Sequence, residues 1–289
     1  MKTDFPILWI DDKKSLVDPL KKRLEDWLDK KGFTLVVHFH ADGEKIIDDL
    51  GKKDIELIIL DYKLRGAKTG DQIIQEIREQ SYYQDIIFYS QGGIHNNVFS
   101  RPPDGVFFVD KNDAIQRIKE LIDLKINRLS DLSILRGWIV ADAIELEHTI
   151  GELLALCFKE KASLFTARIL EAEGLLDFGK KHRILNGILK DKISHLNITA
   201  PRSPLLENLQ ASKKILNTFD EEVIGIRNAL AHQKAELLAT GRKKIRTMGK
   251  QAKEIEITPT HCVSIRNNIR KHQKNLAAVK LLIESQDWT

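Results

Sequence analysis

Three aspartates stand directly after short apolar runs in the first quarter of the sequence. Asp11 and Asp12 follow Pro6–Ile10, and Asp61 follows Ile55–Leu60. The carboxyl ends of parallel strands meet at one edge of a sheet, so these carboxylates are expected to share a pocket there. Close carboxylates repel one another, and Mg²⁺ accepts such oxygen ligands together with waters and phosphate oxygens. The three aspartates therefore predict a Mg²⁺ site.

Two further polar residues extend this pocket toward phosphate chemistry. Ser90 ends the run Asp85–Ser90, and Lys111 lies just beyond Gly105–Val109. With Mg²⁺ and the Lys111 amine spreading positive charge over phosphoryl oxygens, Asp61 can act as an in-line nucleophile and become an aspartyl phosphate. Ser90 would donate a hydrogen bond to that phosphoryl group. One acidic residue at a strand end is usually a loop cap. Five polar residues at strand ends, the three aspartates with Ser90 and Lys111, favour the phosphoryl site.

A second group of candidate residues lies in the segment Thr218–Leu238, which has helical period. RNA supplies its own nucleophile in the 2′-hydroxyl, so a metal-free nuclease needs only an acid or base that titrates near neutral pH and a cation on the phosphate. His232 is the candidate acid/base and Arg227 the phosphate clamp. Asn228 would orient His232 or the substrate. Glu222, one turn upstream, is a secondary candidate, because a helix-surface Glu is usually only solvated.

The helical period places these polar residues away from the predicted core. His232 lies about 140° and Asn228 about 180° from the centre of the apolar stripe, with Arg227 on its flank. Arg227 and His232 are also about 140° apart, so a second chain or the length of the arginine must help to place both on one phosphate. The stripe itself consists of Phe219, Val223, Ile226, Leu230 and Leu237.

The elements that position these residues fall into two classes. Five β-rich runs alternate with amphipathic segments up to about Leu124, which predicts a doubly wound (βα)5 parallel sheet. The runs are Pro6–Ile10, Phe33–His40, Ile55–Leu60, Asp85–Ser90 and Gly105–Val109. Beyond residue 130 the pattern predicts an all-α bundle with one small hairpin, Lys243–Thr247 with Glu254–Thr258 around Gly249. The predicted helices are Ile134–Phe158, Leu164–Leu175, Gly179–Leu189, Leu205–Leu238 and Ser264–Ile283.

No linker rich in Gly, Pro or Ser separates the two halves. Ile115, Ile118, Ile122, Ile126 and Leu129 recur at spacings of three and four across the boundary. This spacing predicts that the last helix of the first domain runs on. The predicted domains are 1–125 and 135–289, joined by a connecting helix over 126–134.

Composition narrows the class of protein. The 289 residues carry a net charge of +4, which divides into −2 for residues 1–130 and +6 for the rest. The sequence has no apolar stretch near the roughly 18 residues of a membrane span and no secretory signal pattern, so a cytoplasmic protein is expected. Cys157 and Cys262 alone offer neither a disulfide framework nor a structural zinc site. The basic excess permits contact with a polyanion without requiring one.

The first domain, over about residues 4–125, resembles the receiver domain of two-component response regulators. The resemblance implies a flavodoxin-like fold and a sensor histidine kinase or phosphotransfer protein as partner. It makes Asp61 the phosphoacceptor, with Asp11 and Asp12 holding Mg²⁺ and Phe108 moving when Ser90 moves. Lys111 would contact the phosphoryl group. The motifs that carry the resemblance are Ile7-Leu8-Trp9-Ile10-Asp11-Asp12, Leu60-Asp61, Tyr89-Ser90 and Phe108-Val109-Asp110-Lys111.

The sequence departs from the receiver pattern near the phosphoacceptor. Arg65 stands where the family usually has proline, and one extra residue precedes Gly70. Asn112 replaces the proline that commonly follows the lysine. The Lys63 side chain is expected near the phosphoryl site, where it bears on the lifetime of the phosphate.

The segment from Arg227 to His232 resembles the Arg-Asn-x-x-x-His signature of HEPN domains, helical bundles that include many RNases. The resemblance implies a homodimer in which two such helices pair and form a metal-independent endoribonuclease site between them, with RNA as substrate. Ala231 and Ala235 are small enough for a second backbone to approach. The second pair, Arg266 with His272, lacks this context and is interpreted as chance.

Together these patterns predict a response regulator whose phosphorylated receiver controls a HEPN effector. Phosphorylation would move Ser90 and Phe108, shift the helix Ile115–Leu129 and change how two HEPN helices pair. No recognition-helix pattern is evident, which argues against sequence-specific DNA binding. Two alternatives remain open: a non-catalytic adaptor whose bundle serves dimerisation, RNA binding or partner binding, and a receiver that is only a scaffold.

Overall fold

The computed structural model describes residues 3–65, 68–90, 103–128, 131–172, 174–240, 242–247, 253–285 and 288. The chain divides into two compact units, Met1–Arg128 and Leu129–Thr289. Within the described ranges, no helix combines the length and apolar character needed to cross a membrane.

A parallel five-stranded sheet forms the centre of the first unit, in the order β2-β1-β3-β4-β5. Its middle strands are buried apolar runs, as expected when helices cover both faces. The prediction of a parallel α/β sheet is therefore confirmed. The strands are β1 Asp4–Ile10, β2 Thr34–His40, β3 Leu57–Asp61, β4 Asp85–Ser90 and β5 Val106–Asp110.

Four described helices accompany this sheet. Leu24 and Leu28 of the first helix are fully buried, and Ile73, Ile74 and Ile77 of the third are buried in the core with the strands. The segment between β4 and β5, on which a further helix was predicted, lies largely outside the described residues. The helices are α1 Lys14–Asp29, α2 Ile46–Lys52, α3 Gly70–Glu79 and α4 Ala114–Arg128.

The second unit is helical around one apolar core, as predicted. The long helices α5, α7, α8 and α10 supply most of this core, with Leu135, Leu153, Leu185, Leu209 and Leu276 fully buried. Two π-helical turns, Thr166–Leu170 and Asp220–Gly225, interrupt the regular helices. The α-helices are α5 Leu132–Cys157, α6 Ala162–Phe165, α7 Phe178–Thr199, α8 Pro204–Leu216, α9 Ile226–His232 and α10 Pro259–Glu284.

The expectation of one helix over Leu205–Leu238 is wrong. Helix α8 ends at Leu216, the π-helical turn follows, and α9 ends at His232 because Gln233 has an extended backbone. Leu237, assigned to the core stripe, is 72% exposed. The error arises because a period of 3.6 cannot reveal a π-helical turn or a strand that begins a few residues later.

The small sheet has one strand more than the predicted hairpin. Strand β7 (Lys243–Arg246) pairs antiparallel with β8 (Glu254–Glu256) and, on its other side, with β6 (Glu236–Leu237). Gly249, expected at the turn, lies outside the described residues. The sequence around β6 has no strand pattern, so this short strand is revealed only by its pairing with β7.

Two other helices differ from their predicted lengths. The one expected over Leu164–Leu175 is α only to Phe165, and its π-helical continuation ends at Leu170. The one expected over Gly179–Leu189 continues to Thr199.

A single connecting helix over 126–134 is not what the backbone shows. Helix α4 ends at Arg128, and residues 129 and 130, which include Leu129, lie outside the described part. Asp131 is extended, with φ −63° and ψ 133°, and its carboxylate accepts a hydrogen bond from the Ser133 N–H at 2.8 Å. Asp131 is thus the N-cap of a new helix, a role that apolar spacing alone does not reveal.

Candidate functional site

The carboxylates of Asp11, Asp12 and Asp61 converge at the carboxyl ends of β1 and β3. One oxygen from each lies within 4.8 Å of the others, and Asp11 and Asp61 are only 1% and 5% exposed. The Lys111 Nζ lies 3.0 Å from Asp61 and 3.6 Å from Asp11. The structure thus brings together the four charged residues that strand order alone predicted to meet.

Asp12 makes a different contact at the outer side of this cluster. The Arg65 Nε donates to one Asp12 oxygen at 3.0 Å. The other Asp12 oxygen, Oδ1, is buried and has no hydrogen-bond partner within the described ranges. A buried carboxylate oxygen without a partner is costly, and a hard cation would satisfy it. The residues present therefore fit a Mg²⁺ ion, which receiver domains typically bind through such acidic residues.

Burial raises the pKa of the Asp61 carboxyl above its ordinary value, and the Asp11 charge acts in the same direction. The hydrogen bond and charge of Lys111 oppose this rise, as does a hydrogen bond from the Lys63 backbone. Lys111 therefore favours the ionised form of Asp61, which is the nucleophilic one. The Lys63 side chain itself is exposed, and its predicted effect on phosphate lifetime stays a prediction.

Two consecutive hydrogen bonds, which the sequence did not reveal, hold the Asp11 carboxylate in place. The Tyr89 hydroxyl donates to the Asp11 carboxylate and accepts from the Trp9 indole N–H at 3.1 Å. Burial, followed by the Asp11 contact, raises the Tyr89 pKa. Tyr89 pairs with Asp61 across the β3–β4 register, so this neighbour becomes visible only once the order of the strands is known.

Ser90 ends β4, and Phe108 lies on β5, where it is in register with Phe88. Ser90 is buried, and its Oγ has no hydrogen-bond partner among the residues that the structure describes. The Phe108 ring is half-buried and meets Phe88 edge-on, with centroids 5.7 Å apart. The Phe88 ring in turn meets the ring of Tyr62 edge-on, with centroids 5.8 Å apart. Tyr62 directly follows Asp61 in the chain.

The candidate nuclease residues of the helical unit are placed differently. Arg227 and Asn228 are half-buried, and the Arg227 guanidinium donates to the Asn228 amide oxygen at 2.9 Å. His232 is exposed at the last position of α9. The carbonyl of the next residue, Gln233, accepts a hydrogen bond from Arg136 at 2.5 Å. The Arg227 guanidinium thus contacts Asn228, whereas His232 stands at the end of the helix.

Glu222 has a structural role that its predicted surface position did not suggest. Its carboxylate accepts hydrogen bonds from the Lys271 amine and from the Thr218 hydroxyl, the latter at 2.9 Å. It is also hydrogen-bonded to the His272 ring at 2.7 Å. Burial alone would raise the pKa of Glu222, but these hydrogen bonds together lower it. A carboxylate held by three partners is poorly suited to proton transfer, so Glu222 is better explained as an anchor of the π-helical turn.

The second Arg…His pair belongs to the core of the helical unit. Arg266 is 1% exposed and His272 is fully buried. The Arg266 guanidinium lies 5.7 Å from the centre of the Trp138 ring. Neither side chain reaches the surface, in agreement with the view that this pair carries no surface chemistry.

A cleft of about 670 Å³ opens between the π-helical turn, the small sheet and the start of α10. Its walls include the carboxylates of Asp220, Glu221, Glu222 and Glu254, with Lys253 as a cation. An acidic wall repels phosphate, so this cleft is unsuited to RNA despite the basic charge of the unit as a whole.

Comparisons with known proteins agree with the geometry of the first unit. Residues 7–123 match the family model of the response regulator receiver domain. Among solved structures, the receiver domain of the Francisella response regulator 1452 is 16% identical, covering 41% of this chain and 93% of its own, with a TM-score of 0.35. The signal receiver domain of a putative LuxO repressor protein from Vibrio parahaemolyticus is 20% identical, covering 43% and 92%, with a TM-score of 0.36.

A response regulator receiver protein from Sinorhizobium medicae is 19% identical and covers 40% of this chain and 95% of its own, with a TM-score of 0.33. The comparison with curated proteins gives no match. The family match carries the assignment, and it ends before the helical unit begins. Residues 7–123 of this chain therefore form a response regulator receiver domain.

Proposed function

We propose that Asp61 of the receiver accepts a phosphoryl group and that this controls the helical unit, which acts as a HEPN-like, metal-independent endoribonuclease in a homodimer. The observation that carries the receiver half is the convergence of Asp11, Asp12 and Asp61 within 4.8 Å, with Lys111 3.0 Å from Asp61. A receiver domain implies a phosphodonor, such as a sensor histidine kinase.

Each residue of the receiver pocket has a role that its position supports. Asp11, Asp12 and Asp61 would hold Mg²⁺, which supplies positive charge to phosphoryl oxygens when bound. The Asp61 carboxylate attacks the phosphorus in line, and the donor's leaving group departs on the opposite side. The Lys111 amine holds one phosphoryl oxygen, and the unpartnered Ser90 hydroxyl donates to another.

Ser90 and Phe108 would pass the change on. A Ser90 hydroxyl drawn toward the phosphoryl group leaves space on the side of β4 that faces β5. Phe108 lies on β5, opposite Phe88 in the register, and is partly exposed. We expect the Phe108 ring to move inward, and α4, which directly follows β5 in the chain, to respond.

Support for the nuclease half comes from the chemistry of α9. His232 is exposed at the end of α9, and Arg227 lies five residues before it on the same helix. An exposed imidazole can act as a general acid or base, and a guanidinium can hold a phosphate through two parallel hydrogen bonds. Because five helical residues rotate Arg227 and His232 about 140° apart, a composite site between two chains suits them better than a site within one chain.

The second candidate function is a non-catalytic adaptor. The Arg227–Asn228 hydrogen bond favours it, because it engages one of the guanidinium donors within the chain instead of leaving it for a phosphate. In that case α9 would serve dimerisation or bind RNA or a partner protein without cleaving anything.

An RNA-cleavage assay separates the two functions. The full chain, with and without acetyl phosphate and Mg²⁺, is incubated with mixed RNAs beside the double variant Arg227→Ala/His232→Ala. The matched control is Arg202→Ala/His195→Ala, which removes an exposed Arg and an exposed His elsewhere on the same unit. We expect cleavage by the wild type and the control but not by the α9 variant. No cleavage by the wild type in either condition would favour the adaptor.

A further inference from the structure

A second cation, Arg65, contacts the acidic cluster at Asp12, whereas Lys111 pairs with Asp11 and Asp61. Its Nε lies 3.0 Å from Asp12 Oδ2. The Arg65 side chain is 80% exposed, whereas the Asp12 side chain is 10% exposed. The arrangement is an exposed, exchangeable cation resting on a largely buried carboxylate.

The three carboxylates differ in how they are neutralised. Lys111, which is largely buried, serves Asp61 and Asp11, and Tyr89 also donates to Asp11. Within the part of the chain that the structure describes, Asp12 forms its ion pair with Arg65. Asp12 therefore offers one oxygen to a cation already present and keeps a second, buried oxygen without a hydrogen-bond partner.

We propose that Arg65 competes with the divalent metal for Asp12 and thereby sets the Mg²⁺ concentration at which the receiver becomes competent. The proposal rests on the proposed function of the receiver. A guanidinium on Asp12 takes up part of the carboxylate's charge and repels an incoming dication whichever oxygen that dication uses. An exposed ion pair breaks at little cost, so the competition is graded and does not block the site.

The repulsion has a defined size. Exposed ion pairs contribute up to about 1 kcal/mol, which corresponds to at most about a five-fold change in an equilibrium constant. Removing the Arg65 charge is therefore expected to tighten Mg²⁺ binding by about two- to five-fold. Arg65→Lys keeps the charge and should bind Mg²⁺ like the wild type.

The test is a titration of the full chain with Mg²⁺ alone, followed by calorimetry and by tryptophan fluorescence. Fluorescence is suitable because the Trp9 indole is hydrogen-bonded to Tyr89, which contacts Asp11. The variants are Arg65→Gln and Arg65→Lys, with Lys22→Ala as a control. Lys22 is an exposed residue paired with Asp26 on α1, so this control removes one positive charge away from the cluster.

Tighter binding by Arg65→Gln, with Arg65→Lys and Lys22→Ala unchanged, is the result expected. Equal affinity of Arg65→Gln and wild type would overturn the competition while leaving the receiver chemistry intact. Weaker binding by Arg65→Gln would overturn it as well, because Arg65 would then orient Asp12 for the metal. Absence of Mg²⁺ binding by every protein would overturn the proposal and the receiver function together.

Discussion

Charge at the acidic cluster is balanced by two cations with different surroundings. The Lys111 side chain is largely buried between Asp11 and Asp61, and it also lies over the Tyr89 ring at 5.1 Å. Arg65 stands in solvent beside Asp12. A buried ion pair holds its geometry, because breaking it leaves an uncompensated charge, whereas an exposed pair exchanges freely. Lys111 is therefore the fixed part of the phosphoryl site and Arg65 the adjustable part.

Tyr89 links this site to the stability of the receiver. Replacing Tyr89 by Phe removes the donor to Asp11 and leaves the buried Trp9 indole N–H without its acceptor. An unsatisfied buried donor costs about 1–3 kcal/mol, so we expect Tyr89→Phe to lower the free energy of unfolding by that amount. Urea denaturation of the full chain, followed by receiver fluorescence, measures it.

Tyr83→Phe is the matched control for this change, because Tyr83 is exposed and its loss of one hydroxyl should leave stability unaltered. If Tyr89→Phe proved as stable as Tyr83→Phe, the chain from Trp9 to Asp11 would carry no stabilising energy.

At the scale of single residues, the sequence predicts charged groups better than the contacts between them. Asp11, Asp12, Asp61 and Lys111 follow strands, and strand order alone brings them to one edge. The Arg65–Asp12 contact depends on the path of a loop between β3 and α3, and loop paths leave no periodic signal. Glu222 was misjudged because two of its three partners, Lys271 and His272, lie on α10, and helical period does not reveal contacts with a helix far along the chain.

The contact between α3 and the phosphoryl site depends on the absence of a side chain at Gly70. A Cβ there would lie 2.5 Å from the Phe88 ring and 2.8 Å from the Asp61 carbonyl oxygen. The Gly70 N–H also donates to the Tyr62 carbonyl at 3.1 Å. The first turn of α3 therefore packs directly against the end of β3 that carries Asp61.

Gly70→Ala should destabilise the receiver. Backbone atoms and a buried ring cannot shift freely, and overpacking of this kind costs about 1–3 kcal/mol. Gly187→Ala is the control, because Gly187 is an exposed position within α7 and a Cβ there meets no atom within 4 Å. That control should be neutral or up to about 1 kcal/mol more stable, as Ala favours helix over Gly. Thermal or urea unfolding compares them; equal stabilities would contradict the close packing at Gly70.

The π-helical turn Asp220–Gly225 is anchored by two buried histidines around Phe219. The His182 ring stacks on Phe219 at 4.8 Å, and His272 meets it edge-on at 4.9 Å. Asp220 bonds His182 at 3.1 Å, and Glu222 bonds His272. The turn that leads into α9 is therefore fixed by contacts from α7 and α10.

Acid is expected to loosen this anchor. Burial lowers the pKa of His272 below 6.5, although the hydrogen bond to Glu222 opposes the lowering. As pH falls through 6.5, the unfolded chain takes up a proton that folded His272 resists, so stability is lost toward the lower folded pKa. Glu222, whose pKa is lowered from 4.5, adds a further loss below that value.

This expectation is checked by hydrogen exchange of peptides from α8 to α10 at about pH 7 and about pH 5.5. These two pH values lie on either side of the ordinary histidine pKa. Protection should fall with pH in the wild type. In His272→Gln, protection should be lower at about pH 7 and should change less between the two pH values. The pH dependence that remains is due to His261, whose pKa burial also lowers. An unchanged slope in His272→Gln would show that His272 does not carry the effect.

At the scale of elements, periodicity was reliable where regular structure continued and failed where it changed. The five strands and the long helix α5 agree with their predicted positions to within a few residues. The π-helical turns, the N-cap at Asp131 and strand β6 were not predicted, because each depends on local hydrogen bonding or on a distant partner. The helix between β4 and β5 stays a prediction.

At the scale of the molecule, two units with separate cores share one chain. The receiver could be assigned from sequence because its function is concentrated at strand ends, where a few residue types at fixed intervals are informative. The helical unit offers only the short run from Arg227 to His232, and helical bundles of many functions have similar apolar cores. Its fold class was therefore predictable, and its activity stays a proposal.

The central claim is that Asp61 is a Mg²⁺-dependent phosphoacceptor in the intact protein. Its most direct test is intact-mass measurement after incubation with acetyl phosphate and Mg²⁺, beside Asp61→Asn and beside Asp54→Asn, which changes another aspartate just before β3. We predict one added phosphoryl group in the wild type and in Asp54→Asn, none in Asp61→Asn, and none when Mg²⁺ is chelated. Equal labelling of Asp61→Asn, or no labelling of the wild type, would contradict the account.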